Sequence, residues 1–248
     1  MLSKNQIKKL RALQRKKERR SSGLYVVEGK KIVEEILQSN SEWFELYATS
    51  TWFDVHSELA DRPNSFEMSD KDLAQVSTLK TPNEVLLVLK QYKELDFSLV
   101  KSNQLVIALD GVKDPGNMGT IIRLADWFGV EHILCTSDSV DQYNPKTVQS
   151  AMGSISRVQV HYGDLAHMLS NLDTHQIYVC DLDGTSIYKT DFAEKSVLLM
   201  GSESHGISDE ILDLVNQKIT IPTFSKSGID SLNVATATAI VLSEYRSK

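Results

Sequence analysis

VLLMGSESHGIS at residues 197–208, followed after a spacer by KITIPTFSKSGIDSLNVATATAIVLSEYR at residues 218–246, reads as strand, Gly-rich loop, short helix, strand, long polar loop and helix. Residues 197–200 form an uninterrupted apolar run, the pattern of a short buried strand. Gly201, Ser202 and Gly206 punctuate a loop whose small side chains let a ligand approach the main chain. Residues 218–221 make a second short strand, stopped by Pro222. Ser231 or Asp230 is placed to cap a helix from about residue 232 to 245. Small residues along its first turns, Ala235 to Ala239, predict close packing against it. Two polar loops after two buried strands predict a ligand crevice at the carboxyl edge of a sheet. The competing reading is an ordinary closing helix of an α/β domain.

A second stretch supports the crevice. LVIALDGVKDPGNMGTIIRLADWFGV at residues 105–130 is a buried strand, a Gly/Pro/Asn turn and an amphipathic helix over about residues 118–128. Arg123 lies off that helix's apolar stripe; pairing with Asp126 on the helix surface is its plain structural explanation. Together the segments carry Asn117, Gly119 and Arg123, then Gly201, Glu203 and Gly206, then Ile221, Pro222, Ser231, Leu232, Asn233 and Val234. In this order and spacing they resemble the three motifs of the SpoU/TrmH-type RNA 2′-O-ribose methyltransferases of the SPOUT superfamily. The resemblance spans roughly residues 104–246.

Composition sets the remaining bounds. The chain has 248 residues and a net charge of −6, enough length for one large or two ordinary domains. There is no apolar run of transmembrane length and no signal-peptide pattern, so a cytoplasmic location is expected. Cys135 and Cys180 are the only cysteines and lack metal-ligand spacing; no metal site is expected. Charge is unevenly spread. Residues 1–31 hold eleven of the 27 Lys and Arg but two of the 33 Asp and Glu, a local +9 that leaves −15 elsewhere. Such asymmetry predicts a basic arm on RNA phosphates, with Lys8, Arg11, Arg15, Arg19, Arg20 and Lys30 as candidate contacts. A solvated surface helix is the alternative, since Ile7, Leu10 and Leu13 give the arm an apolar stripe.

Strands and helices alternate over the next 90 or so residues: LYVVEG, a helix at 30–38, WFELYATS, a helix at 52–59, a Ser69-capped helix to Val76, and a strand at 84–90. This pattern is similar to the ribosomal-protein-like substrate-binding domain fused to these methyltransferases, although Asn83-Glu84 stands where a Gly is common. The expected division is 1–97 for a small α/β RNA substrate-binding domain and 104–248 for the α/β SPOUT methyltransferase domain, with 96–103 as linker. Asp183-Gly184 reads as a turn after the strand at 176–182.

The resemblance implies methyl transfer from S-adenosylmethionine to a ribose 2′-hydroxyl of RNA, ribosomal RNA favoured over tRNA. It also implies a deep trefoil knot and a homodimer through the C-terminal domain. It assigns cofactor contacts to Met200, Gly201, Ile221 and Leu232. Arg123 becomes the catalytic arginine, with Asn117, Glu203, Ser231 and Asn233 around it. The loop at 223–230 is longer than relatives have. An RNA-binding or ribosome-assembly factor without turnover is the alternative function. A nucleotide-binding oxidoreductase is disfavoured because its G-x-G-x-x-G fingerprint is absent.

Overall fold

The computed structural model describes residues 2–39, 41–92, 97–202, 206–225 and 231–248. The chain divides into two compact units, one of residues 1–93 with 143–156 and the other of residues 94–142 with 157–248. Residues 143–156 therefore group with the first unit, although sequence reading places them in the second domain.

The first unit is built on a four-stranded sheet, with β1 (Leu24–Glu28), β2 (Glu45–Ala48), β3 (Ser65–Glu67) and β4 (Val85–Lys90) in the order β1-β4-β2-β3. β4 is antiparallel to both neighbours and β2 is parallel to β3. Ser3 and Gln6 form a capping box that starts the Lys4–Ala12 helix. Leu10 and Leu13 bury the arm's apolar stripe in a core with Leu24, Tyr47, Met68, Leu73, Leu86 and Val88. The basic arm is thus part of the folded unit. Ser69 caps the Asp70–Val76 helix as its sequence predicts. The helix expected at 52–59 is two short ones, Ser50–Val55 and Ser57–Ala60, with His56 between them. Glu84 sits at φ 42°, in the left-handed region that glycine occupies most easily, and its carboxylate pairs with Lys30 at 2.7 Å. Residues from 143–156 are tied into this unit: Tyr143 packs on Tyr25 with ring centroids 4.4 Å apart, and Gln149 donates to the Glu28 carbonyl.

The second unit carries a six-stranded sheet. In chain order its strands are β5 (Leu105–Asp110), β6 (His132–Thr136), β7 (Gln159–Gly163), β8 (Gln176–Ser186), β9 (Ser196–Gly201) and β10 (Gln217–Thr220), laid out β10-β8-β9-β5-β6-β7 with every pair parallel. From β5 the order runs outward through β6 and β7; from β9 it runs the other way. The loops after β5 and β9 leave the sheet in opposite directions, and α/β sheets bind ligands beyond the carboxyl ends of strands near such a reversal. Asp114 accepts from the Asn117 amide and starts the Pro115–Trp127 helix, with Pro115 in its first turn.

Three local expectations are corrected by the structure. The expected linker contains a helix, Phe97–Ser102, whose Val100 enters the core beside Val106 and Val197. Asn233 caps the last helix, Val234–Ser247, by accepting from the Ala235 and Thr236 amides; Ser231 does not, and Asp230 lies outside the described residues. Asp183-Gly184 is not a turn ending β8. The strand runs on to Ser186, but its pairing with β10 jumps from Val179–Lys218 to Thr185–Ile219, so the residues between loop out of the ladder.

Candidate active site

A cavity of about 370 Å³ lies at the carboxyl edge of this sheet. Five segments line it: Cys180, Asp181 and Leu182 from the looped-out part of β8; Met200, Gly201 and Ser202 at the end of β9; Gly206, Ile207 and Leu212 farther along the chain; Thr220 and Ile221 at the end of β10; and Ser231, Leu232, Val234 and Ala237 at the start of the last helix. Met200, Gly201, Ile221, Leu232 and Ser231, named from sequence, thus share one cavity. The lining is mostly apolar with a few polar groups, the usual character of a small-molecule site.

Main-chain pairing shows why the cavity forms there. On its β5 side, β9 stays paired through Asp110–Gly201. On its β8 side the pairing ends at Val179–Leu199. Beyond that point the main chain of Met200 and Gly201 lacks a β8 strand partner, and both residues line the cavity. Gly184 lets the loop close on β10: a Cβ there would stand 2.7 Å from the Ile219 main chain. At Gly201 a Cβ would stand 2.6 Å from the Gly206 carbonyl, and Ser202 and Gly206 exchange main-chain hydrogen bonds across the loop mouth. Glycine is required at 201 by this loop closure, a cause that local sequence does not reveal. Asp110 accepts from the Ser208 amide at 2.9 Å, tying the far end of the loop to β5. Glu203, with His205, lies outside the described residues.

The first and third motif segments meet directly. Asn233 Nδ2 donates to Asn117 Oδ1 at 2.9 Å, across 116 residues of sequence. The same two helices are joined at their other ends, where Arg246 Nε donates to the Phe128 carbonyl at 2.9 Å. Arg123, on the Pro115–Trp127 helix, is exposed. Asp126, the surface partner its sequence position offers, is held by Arg157 at 2.7 Å. Trp127, on the same helix, is 84% exposed.

Sequence reasoning missed Cys180, Asp181 and Leu182. The Asp183-Gly184 signal marked the irregularity, but the loop's closure on β10 is a long-range event. Lys218 Nζ donates to Asp181 Oδ2 at 2.8 Å and the Leu182 amide to Oδ1 at 2.6 Å. The Lys218 hydrogen bond holds the Asp181 carboxyl below its ordinary pKa. Burial, followed by the charge of Asp181, raises the Cys180 thiol to about 11, leaving it protonated at neutral pH. Among the described residues there is no group of three His, Cys, Asp or Glu arranged to hold a metal.

In the first unit, Lys8, Arg11, Arg15 and Arg20 are exposed, and Lys30 is exposed while paired with Glu84. Arg19 departs from expectation. It is 3% exposed and its guanidinium donates to the Leu13 and Gln14 carbonyls, so it holds two helices together and is not presented to a phosphate. A larger depression of about 840 Å³ in this unit, lined by Glu34, Glu42, Trp43, His56 and Arg62 among others, contains none of the residues named from sequence. Size alone does not make it the site.

Residues 104–243 match the SpoU rRNA methylase family, and residues 4–87 match the MRM3-like substrate binding domain. The chain belongs to the SpoU rRNA methylase family. Among its relatives, the 23S rRNA (guanosine(2553)-2′-O)-methyltransferase RlmP of Bacillus subtilis is 27% identical over 98% of this chain and 97% of that protein. A TrmH-family protein of Porphyromonas gingivalis superimposes with a TM-score of 0.86 at 36% identity, each chain covered completely. An AdoMet-bound rRNA methyltransferase from Sinorhizobium meliloti superimposes at 0.87 with 27% identity, over 100% of this chain and 96% of that one. No helix among the described residues is long and apolar enough to cross a membrane.

Proposed function

We propose that this SpoU-family chain transfers a methyl group from S-adenosylmethionine to a ribose 2′-hydroxyl of ribosomal RNA, acting as a homodimer through its second unit. The observation that carries the reading is the convergence of Gly201, Ile221 and Leu232 on one cavity, with Asn233, next to two cavity residues, bonded to Asn117. The residues present fit the cofactor. A flat base suits the apolar walls of Ile207, Ile221, Leu232 and Val234. The main chain of Met200 and Gly201, free of a β8 strand partner, offers groups that read a base edge, and Asp181, Ser202 and Ser231 supply polar partners. When bound, S-adenosylmethionine supplies an electrophilic sulfonium methyl.

This chain's own contribution is then positioning and charge stabilisation at the ribose oxygen. Arg123 is the group proposed for that work. Its guanidinium stays protonated at any working pH, which suits it to grip the adjacent phosphate and steady the charge growing on the 2′-oxygen rather than to remove the proton. Asn117 and Asn233 fix the start of the helix that carries it. The dimer would bring Trp127 and the last helix of one protomer against its partner and share residues between two sites. The trefoil knot of the SPOUT fold is part of the same proposal. Exposed Lys8, Arg11, Arg15 and Arg20 would meet RNA phosphates.

The test is Arg123→Ala, followed by calorimetric titration of S-adenosylmethionine and single-turnover methylation of ribosomal RNA. Cofactor affinity is expected to stay near wild type, while methyl transfer falls about 10²-fold or more, the scale of losing one preorganised donor. Turnover near wild type would remove Arg123 from the mechanism. Weakened cofactor binding would place it in the cofactor site.

A further inference from the structure

Asp181 supplies a carboxylate to the cavity wall, and none of the family-motif residues named above accounts for it. Its position depends on the interruption of β8: because the β8–β10 register jumps after Val179–Lys218, residue 181 leaves the ladder and lines the cavity. Lys218 on β10 and the Leu182 amide hold one carboxylate oxygen each, at 2.8 and 2.6 Å. Thr220 Oγ1 donates to the Leu182 carbonyl at 3.3 Å, fastening the same loop. The carboxylate is therefore oriented before any ligand arrives.

We infer that Asp181 accepts hydrogen bonds from the sugar hydroxyls of the nucleoside held in this cavity, setting the site's preference for an unmodified ribose. The inference rests on the proposed S-adenosylmethionine site and deepens it. Two ligand groups could seek a carboxylate here: neutral hydroxyls, or the cationic amino-acid end of the cofactor. The Lys218 ammonium decides between them. Its charge already compensates the carboxylate and would repel a second cation brought to the same oxygens. A neutral O–H donor meets no such repulsion, and a carboxylate has room for about four hydrogen bonds. The depressed pKa keeps the group ionised at neutral pH, and so an acceptor only. The other cavity side chains near the loop are poorer acceptors. The Cys180 thiol accepts only weakly, and the Thr220 hydroxyl hydrogen is turned to Leu182.

Isothermal titration of the full chain with S-adenosylmethionine, S-adenosylhomocysteine, adenosine and 2′,3′-dideoxyadenosine tests the inference without any turnover. Wild-type protein must first bind S-adenosylmethionine; if it does not, the proposed function fails and the inference with it. Given that binding, Asp181→Ala and Asp181→Asn should weaken the three ribose-bearing ligands by a similar factor, about tenfold or more for the alanine variant. Dideoxyadenosine should bind wild type and Asp181→Ala alike. Lys218→Ala, which leaves the carboxylate on the Leu182 amide, should cost less than Asp181→Ala for every ligand. Unchanged binding in Asp181→Ala would overturn the inference. So would a loss confined to the two ligands that carry an amino-acid end, or a Lys218→Ala loss as large as that of Asp181→Ala, which would reduce Asp181 to a loop fastener. Thermal melting of each variant separates these outcomes from simple unfolding.

Discussion

Asn233 has two separable roles, and substitution can divide them. Its Oδ1 accepts from the Ala235 and Thr236 amides at 3.0 and 3.2 Å, capping the last helix, while its Nδ2 donates to Asn117 at 2.9 Å. Alanine removes both. Loss of an N-cap costs about 0.5–2 kcal/mol, and loss of an ordinary hydrogen bond about 0.5–1.5 kcal/mol. Because this residue is exposed, the lower halves apply, giving about 1–2 kcal/mol. For a unit of this size that shifts its melting transition by roughly 2–4 °C per kcal/mol. Asn233→Asp keeps an acceptor at the helix N-terminus, where negative charge is favourable. An ionised carboxylate cannot donate to Asn117, however, so this variant should lose about 0.5–1 kcal/mol. It should also lose methyl transfer out of proportion to stability. Urea and thermal melts of both variants, and of each combined with Asn117→Ala, supply a double-mutant cycle. A coupling energy near ~0.5–1 kcal/mol is expected. Additivity within about 0.3 kcal/mol, or equal destabilisation by alanine and aspartate, would refute the bridge and the cap respectively.

His132 and His161 form a buried pair, Nδ1 to Nε2 at 3.1 Å, which requires one nitrogen to donate and the other to accept. Burial first, then the neighbouring His132, lowers His161 to about 4, and burial lowers His132 as well. Between pH 6.5 and about 4 the unfolded chain therefore binds protons that the folded pair refuses, and stability should fall as pH drops through that window and level off below it. Urea midpoints across the window check this, and His161→Gln should flatten the slope. Arg19 and Arg20 are adjacent yet should behave oppositely. Arg19→Ala removes the donors to the Leu13 and Gln14 carbonyls, the first of them buried, and should lower the melting temperature, while Arg20→Ala should leave stability alone and reduce the salt slope of RNA binding by about 0.7–0.9 if it meets one phosphate; filter binding over a salt series beside thermal melts reads both.

Elements set by local chemistry were legible. The Ser69 cap and apolar spacing mark the Asp70–Val76 helix, and the apolar runs of β5 and β9 announce buried parallel strands. The elements that escaped are those decided at long range. The Phe97–Ser102 helix is too short to show a periodic stripe, and it is fixed by Val100 entering a core made of distant residues. Ser231, Asp230 and Asn233 are all good capping residues. What distinguishes Asn233 is a side chain bonded to Asn117, on a helix far back in the chain. The same holds for the site. Gly201, Ile221 and Leu232 could be named from motif spacing. Asp181 could not, because it reaches the cavity only through a register jump against β10. Arg19 shows the limit of counting charge: a basic run cannot reveal which of its members folds inward.

The most direct test of the central claim is the chemical position of the transferred methyl group. Wild-type protein, ribosomal RNA and S-adenosylmethionine labelled on its methyl group are incubated, and the RNA is hydrolysed in alkali. Methylation of a ribose 2′-oxygen blocks cleavage of the adjacent phosphodiester, so the label should appear in alkali-resistant dinucleotides, and its rate of appearance should fall about 10²-fold or more with Arg123→Ala. Label recovered in mononucleotides would mean a methylated base, and no label from a protein that binds both RNA and cofactor would mean an assembly factor; either result would contradict the account.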